Sequence, residues 1–147
     1  MKHILASAAF AALAMPAFAD GHLGSGDPEA GEKAFNQCQS CHVVQNDEGE
    51  VLAGRNGKTG PNLFGVVGRQ AGALDGFRYK KSIVEAGEGG LVWDAETLTA
   101  YLQDPNAFLK ETLDSNRARS GMAFRVRSEE DAANLAAFLA TFSDPAS

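Results

Sequence analysis

Cysteine and histidine are scarce in this sequence, with two cysteines and three histidines among 147 residues. A structural zinc site needs four such ligands, usually two Cys pairs or one pair followed by two histidines. The Cys pair here, Cys38 and Cys41, is followed by His42 and by no later histidine. A zinc site is therefore short of ligands.

Basic residues and long apolar runs are also few. Lys and Arg number 13 against 19 Asp and Glu, a formal charge of −6, which argues against nucleic acid as a partner. The longest apolar run, residues 4–15, is shorter than the roughly 20 residues that a transmembrane helix needs. We therefore expect no nucleic-acid partner and no membrane anchor.

The apolar run has the setting of a secretory signal peptide. Lys2 precedes it, and Ala17-Phe18-Ala19 follows as a small-x-small cleavage site. We predict that residues 1–19 are removed and that the mature chain lies outside the cytoplasm. Residues 20–147 show no internal repeat or linker and have the length of a single domain.

The stretch Cys38-Gln39-Ser40-Cys41-His42 is typical of a c-type haem attachment site. The two thiols are spaced to form thioether bonds to the macrocycle, and the imidazole that follows is the proximal iron ligand. A small disulfide or a thioredoxin-like redox pair are the alternative interpretations of the two cysteines. The residues before Cys38 resemble the start of a helix, not the apolar strand that precedes a thioredoxin motif.

Methionine is equally sparse, because Met1 and Met15 fall in the predicted signal peptide and leave Met122 alone in the mature chain. A lone methionine is most often a filler of gaps in a core. Met122 instead lies in a polar stretch without helical periodicity, far downstream of the haem motif. We interpret it as the second axial ligand, opposite His42.

The regular elements are predicted to be helical. Four helices open with a capping residue: Asp27, Asp94, Asp104 and Ser128. Another is expected over residues 80–86, with Gly87 as its C-terminal stop, and residues 46–60 are predicted to form a surface loop. No alternating pattern indicates a strand. The sequence therefore predicts a small all-α domain in which the cofactor supplies much of the apolar core.

With these residues in place, the chain resembles the class I cytochromes c over nearly its whole mature length, and most of all the cytochrome c2 branch of purple photosynthetic bacteria and their relatives. The motifs that carry the resemblance are Gly31 with Phe35, Cys38 to His42, Lys58-Thr59-Gly60-Pro61-Asn62-Leu63, Gly68-Arg69, Gly76-Phe77 with Tyr79, Trp93, Tyr101-Leu102 with Pro105, Gly121-Met122-Ala123-Phe124, and Leu135 with Phe138. Two features depart from the mitochondrial pattern: a longer stretch from Phe108 to Met122, and glycine at 121 where many relatives have lysine.

The resemblance implies a class I cytochrome c fold around one haem c attached through Cys38 and Cys41. The N-terminal and C-terminal helices should cross, and the Pro61 carbonyl should accept a hydrogen bond from the His42 ring. The resemblance also implies three residues that hold a buried propionate and one that lies near the Met122 sulfur. The first three are Arg69, Tyr79 and Trp93, and the last is Tyr101.

The function expected from these residues is electron transfer and not catalysis. With His42 and Met122 both on the iron, no coordination position remains for a substrate. We expect a monomeric periplasmic carrier between a quinol-oxidising cytochrome bc-type complex and a photosynthetic reaction centre or terminal cytochrome oxidase. A haem peroxidase or a sensor domain is the alternative. A peroxidase would need a distal acid or base, and a sensor would need an output domain.

Overall fold

The computed structural model describes residues 24–143, so the predicted signal peptide lies outside the described residues. Within that range the chain forms five helices: α1 (Pro28–Ala34), α2 (Lys81–Glu88), α3 (Ala95–Gln103), α4 (Pro105–Thr112) and α5 (Glu129–Ala140). A 3-10 turn, Phe35–Gln37, extends α1 toward the haem motif. The predicted all-α fold is confirmed, with a small β-hairpin added.

The helices begin where the sequence places capping side chains. Asp27 accepts from the backbone N–H groups of Glu29 and Ala30, and Asp104 caps α4 in the same way. Asp94 and Thr97 form a reciprocal capping box at α3. Ser128 accepts from the N–H of Asp131 at the start of α5. Each side chain satisfies a donor that the first helical turn leaves unpaired.

Helix α1 crosses α5 at a point of close backbone approach. A Cβ on Gly31 would overlap the carbonyl of Asn134, so the crossing requires glycine at this position. The rings of Phe35 and Phe138 lie 5.5 Å apart between centroids, and Leu135 is buried in the same core. The expected crossing of the terminal helices is therefore present.

The hairpin corrects the prediction that all regular structure is helical. Strands β1 (Val43–Gln45) and β2 (Val51–Gly54) pair antiparallel, with an irregularity between Val44 and Gln45. Val43 and Val44 are adjacent and both buried, so β1 lacks the alternation that marks a half-buried strand. The predicted loop over residues 46–60 therefore contains β2.

Helix α2 ends later than predicted. Gly87 lies inside the helix, and Gly89 is its C-cap residue. A Cβ on Gly87 would overlap the carbonyl of Ala71, so this glycine allows a close packing contact and does not end the helix. No helix within residues 24–143 is both long and apolar enough to cross a membrane.

Candidate haem site

A cavity of about 460 Å³ lies among α3, α5, the haem motif and the segment around Met122. All nine residues predicted for the site lie on its wall: Cys38, Cys41, His42, Pro61, Arg69, Tyr79, Trp93, Tyr101 and Met122. The fold thus brings together residues from distant parts of the chain. A second, more open cavity of about 730 Å³ lies between α3 and α5 and contains none of them.

The two cysteines lie on a tight turn that follows the 3-10 segment. The N–H groups of Cys41 and His42 both donate to the Cys38 carbonyl, at 3.1 and 2.9 Å. Both thiols are free, with Cys38 half-buried and Cys41 exposed. Burial, and secondarily Cys41, raises the pKa of Cys38 to about 11. A reactive redox cysteine has a lowered pKa, and the pair follows the 3-10 turn Phe35–Gln37 and not a strand. This setting does not match the thioredoxin-like interpretation.

The His42 imidazole is held by the backbone of residues 60 and 61. Its Nδ1 lies 2.9 Å from the Pro61 carbonyl oxygen, which is the contact that the resemblance implied. A Cβ on Gly60 would overlap the ring, so the main chain lies flat against it. Burial lowers the pKa of His42, partly opposed by the bond to Pro61. A carbonyl can only accept, so Nδ1 carries a proton and donates. The lowered pKa favours the neutral ring, whose Nε2 lone pair is left for a metal.

The Ser120 hydroxyl holds the backbone of Met122, a role that the sequence alone did not indicate. Its backbone N–H donates to Ser120 Oγ at 2.9 Å, and the same oxygen lies 2.7 Å from Tyr101 Oη. The Ser120 N–H in turn donates to Asn106 Oδ1 at 2.9 Å. Burial raises the pKa of Tyr101, so its hydroxyl stays protonated. Tyr101 is therefore linked to Met122 through Ser120.

Arg69, Tyr79 and Trp93 all lie on the cavity wall. The guanidinium group of Arg69 also donates hydrogen bonds to the backbone. Arg69 donates to the carbonyls of Phe64 and Asn62 at 3.1 and 3.0 Å. Burial lowers the pKa of Arg69 and raises that of Tyr79. Two of the five guanidinium N–H groups are used in this way, which leaves donors for a carboxylate in the cavity.

The rim of the cavity carries residues that the sequence analysis did not assign to the site. Arg78 and Lys80 lie on the wall, and Lys80 packs beside Gly121, where a Cβ would come 3.0 Å from Lys80 Cγ. Phe124 also lines the cavity and is 45% exposed. The rim therefore combines positive charge with an exposed aromatic ring.

The donor set fits a haem and does not fit a metal ion bound by side chains alone. Two unpaired thiols, a neutral imidazole and a thioether line one cavity whose other walls are largely apolar. Within residues 24–143, no group of three His, Cys, Asp or Glu side chains could hold a metal ion. The residues thus include two thiols that could attach a haem and two side chains, an imidazole and a thioether, that could ligate its iron.

Comparisons with known proteins give one consistent answer, although no family model matches the chain. Cytochrome c2 of Cereibacter sphaeroides is 52% identical over 140 residues, which cover 95% of this chain and 92% of that protein. Cytochrome c-551 of Roseobacter denitrificans is 51% identical over 134 residues, covering 91% and 90%.

Solved structures agree with these relatives. A cytochrome c2 from Rhodobacter sphaeroides matches with a TM-score of 0.80 at 51% identity, covering 82% of this chain and all of that one. A cytochrome c2 from Rhodobacter capsulatus matches with a TM-score of 0.74 at 46% identity, covering 79% and 97%. This chain therefore belongs to the cytochrome c2 family of class I cytochromes c, electron carriers with one haem c, which is attached here through Cys38 and Cys41.

Proposed function

We propose that this protein carries single electrons through the periplasm, from a quinol-oxidising cytochrome bc-type complex to a photosynthetic reaction centre or a terminal cytochrome oxidase. The observation that carries the proposal is the placement of His42 and Met122 on the wall of one cavity that also holds both thiols. Family membership supports the electron-carrier role. The partners follow from the resemblance to carriers that serve these complexes.

The chain's own residues define what the site does. The bound haem supplies a one-electron change at iron, between the ferric and ferrous states. Cys38 and Cys41 attach the group, and His42 and Met122 would ligate its iron. A thioether opposite an imidazole favours the reduced state relative to harder ligands. Two protein ligands leave no position for a substrate, which favours a carrier over an enzyme.

The cavity wall is largely apolar, and its charged side chains are a few basic ones. Its apolar lining includes four buried leucines: Leu98, Leu102, Leu135 and Leu139. An apolar surrounding raises the cost of the extra positive charge on ferric iron, so it also favours reduction. Arg69, Tyr79 and Trp93 are proposed to hold a propionate, because an unpaired buried carboxylate is costly.

The kinds of residue on the cavity wall also favour a carrier over a peroxidase. Apart from His42, the described residues that line the cavity include no histidine, aspartate or glutamate. A distal acid or base for peroxide cleavage is normally such a residue.

The periplasmic location rests on the sequence of residues 1–19, which we propose to be a cleaved signal peptide. Residues 20–147 are then one domain, and we propose that it acts as a diffusible monomer without a membrane anchor. Covalent attachment of the haem outside the cytoplasm is consistent with such export.

A visible absorption spectrum of the ferric protein tests the proposed ligand pair. We expect the weak band at the red end that marks sulfur on ferric haem, and it should persist in moderate cyanide. After reduction, the ferrous spectrum should not change when CO is added. Loss of that band, or ready binding of either ligand, would show an open iron and favour an enzyme or a sensor.

A further inference from the structure

Asn62 bonds through its side chain to both main-chain groups of Gln45 in strand β1. Its Oδ1 accepts from the Gln45 N–H at 3.0 Å, and its Nδ2 donates to the Gln45 carbonyl at 2.7 Å. The same Oδ1 accepts from the N–H of Phe64 at 3.1 Å. A half-buried side chain therefore replaces the main-chain partner that a neighbouring strand would provide.

These bonds complete a row of contacts along the haem motif. The N–H of Gly60 donates to the Cys41 carbonyl at 2.8 Å, and the N–H of Leu63 donates to the Val43 carbonyl at 2.9 Å. Pro61 lies between them and has no N–H to contribute. The side chain of Asn62 supplies the next link, at Gln45, so residues 60–63 run beside residues 41–45.

The Pro61 carbonyl belongs to the peptide that joins Pro61 to Asn62, so the position of Asn62 sets the direction of that carbonyl. On the other side, Arg69 donates to the main-chain oxygen of Asn62 at 3.0 Å. We propose that Asn62 is a positioning residue for His42: it holds the Pro61 carbonyl on the Nδ1–H of the imidazole. The inference rests on the proposed function, in which His42 is an iron ligand.

The consequence is electronic as well as structural. A carbonyl that accepts from the second ring nitrogen fixes the tautomer and makes the ligating nitrogen more basic. A more basic ligand stabilises ferric iron. If the Pro61 carbonyl is held less firmly, His42 becomes a less basic ligand, and the reduction potential rises. The Nδ1 proton would also exchange faster with solvent, since its acceptor spends less time in place.

The test uses the haem-loaded protein with Asn62→Ala and a matched control, Asn46→Ala. Asn46 lies in the turn of the hairpin, where its Oδ1 accepts from the Glu50 N–H at 2.8 Å, and it does not bond to residues 60–63. The first readout is the exchange rate of the His42 Nδ1 proton, measured by NMR in the ferrous state. The second is the reduction potential.

We expect exchange in Asn62→Ala to be about tenfold faster or more, a ratio that three lost hydrogen bonds can account for, and the potential to rise. Asn46→Ala should match wild type in both. Asn62→Asp keeps the acceptor oxygen and loses the donor to Gln45. It should exchange at an intermediate rate, and it provides the measurement if the alanine variant does not fold. Exchange in both Asn62 variants at the rate of the control would overturn the inference.

A failure of the proposed function is visible separately. If His42 and Met122 are not the ligand pair, the wild-type spectrum lacks its red band before any variant is made. If only the role of Asn62 is wrong, the wild-type spectrum has that band and the Asn62 variants exchange like Asn46→Ala.

Discussion

The ring of Phe35 meets the ring of Phe138 at a centroid distance of 5.5 Å and a tilt of 53°. This contact marks the crossing of α1 and α5, one turn away from the attachment motif. Phe35 is buried and also lines the cavity. The crossing therefore joins the two ends of the fold and forms one wall of the haem site.

Replacing Gly31 by alanine should separate α1 from α5. The new methyl group would overlap the carbonyl of Asn134 and crowd Phe138 Cβ, and neither can move without shifting α5. Overpacking of this kind costs about 1–3 kcal/mol. Urea unfolding of the haem-loaded protein measures the loss. Glu32→Ala, at an exposed position on α1, is the control and should stay within about 0.5 kcal/mol of wild type.

The helix starts were predictable because their signals are local. Asp27, Asp94, Asp104 and Ser128 each cap the turn that follows them in sequence. The hairpin was not predictable in this way. Its strands are short, and the buried pair Val43 and Val44 depends on packing that the local pattern does not record.

The residues of the site show the same difference between local signals and long-range contacts. Cys38, Cys41 and His42 form a contiguous motif, and the scarcity of methionine singled out Met122. Ser120 and Asn62 went unassigned because each also depends on a distant partner: Tyr101 for Ser120 and Gln45 for Asn62, 19 and 17 residues away. A serine hydroxyl or an asparagine amide in a loop does not by itself indicate a functional role in the sequence. For Ser120 the one available signal was a hydroxyl two residues before the ligand.

Ser120→Ala should loosen the segment that holds Met122. It removes the acceptor for the Met122 N–H and the partner of the Tyr101 hydroxyl, and leaving buried polar groups unpaired costs about 1–3 kcal/mol. We expect lower stability in urea and faster binding of cyanide to the ferric protein. Ser115→Ala is the matched control, because the structure shows no side-chain hydrogen bond for Ser115 among the described residues. Equal behaviour of the two variants would contradict a role for the Ser120 hydroxyl.

Met122→Ala should leave a folded protein with haem attached, a lower potential and an iron that binds CO and cyanide. The direction follows from loss of the thioether, since axial ligands move haem potentials over a range of about 0.8 V. Met122→Leu keeps most of the volume and also lacks sulfur, so both variants should behave alike in a spectroscopic redox titration. If the leucine variant kept the wild-type potential, Met122 would be a packing residue and not a ligand.

Positively charged side chains lie at the rim of the haem cavity, although the chain as a whole is acidic. Residues 105–127 contain two acids and five bases, which are Lys110, Arg117, Arg119, Arg125 and Arg127. That segment alone is a poor guide to docking. Arg125 is paired with Asp104 at 3.1 Å, and Arg119 donates to the carbonyls of Asn116 and Ala118.

Arg78 and Lys80 come from outside that segment and line the cavity beside Phe124. If an acidic partner docks at this rim, these cations speed association through a field that fades over a Debye length of about 8 Å at physiological salt. Reversing both, as Arg78→Glu with Lys80→Glu, should slow electron transfer to the native partner several-fold at low ionic strength. The difference should shrink as salt is added. Stopped-flow rates over a salt series measure it.

The control reverses the same amount of charge away from the cavity, as Lys33→Glu with Arg55→Glu, at exposed positions on α1 and after β2. Net charge is then equal in the two double variants, and only its position differs. If the partner docks at this rim, electron transfer at low salt should be markedly slower in the rim variant than in the control variant. If both variants slow equally, association depends on net charge alone. If the rim variant is the faster of the two, the partner presents a basic surface to this face.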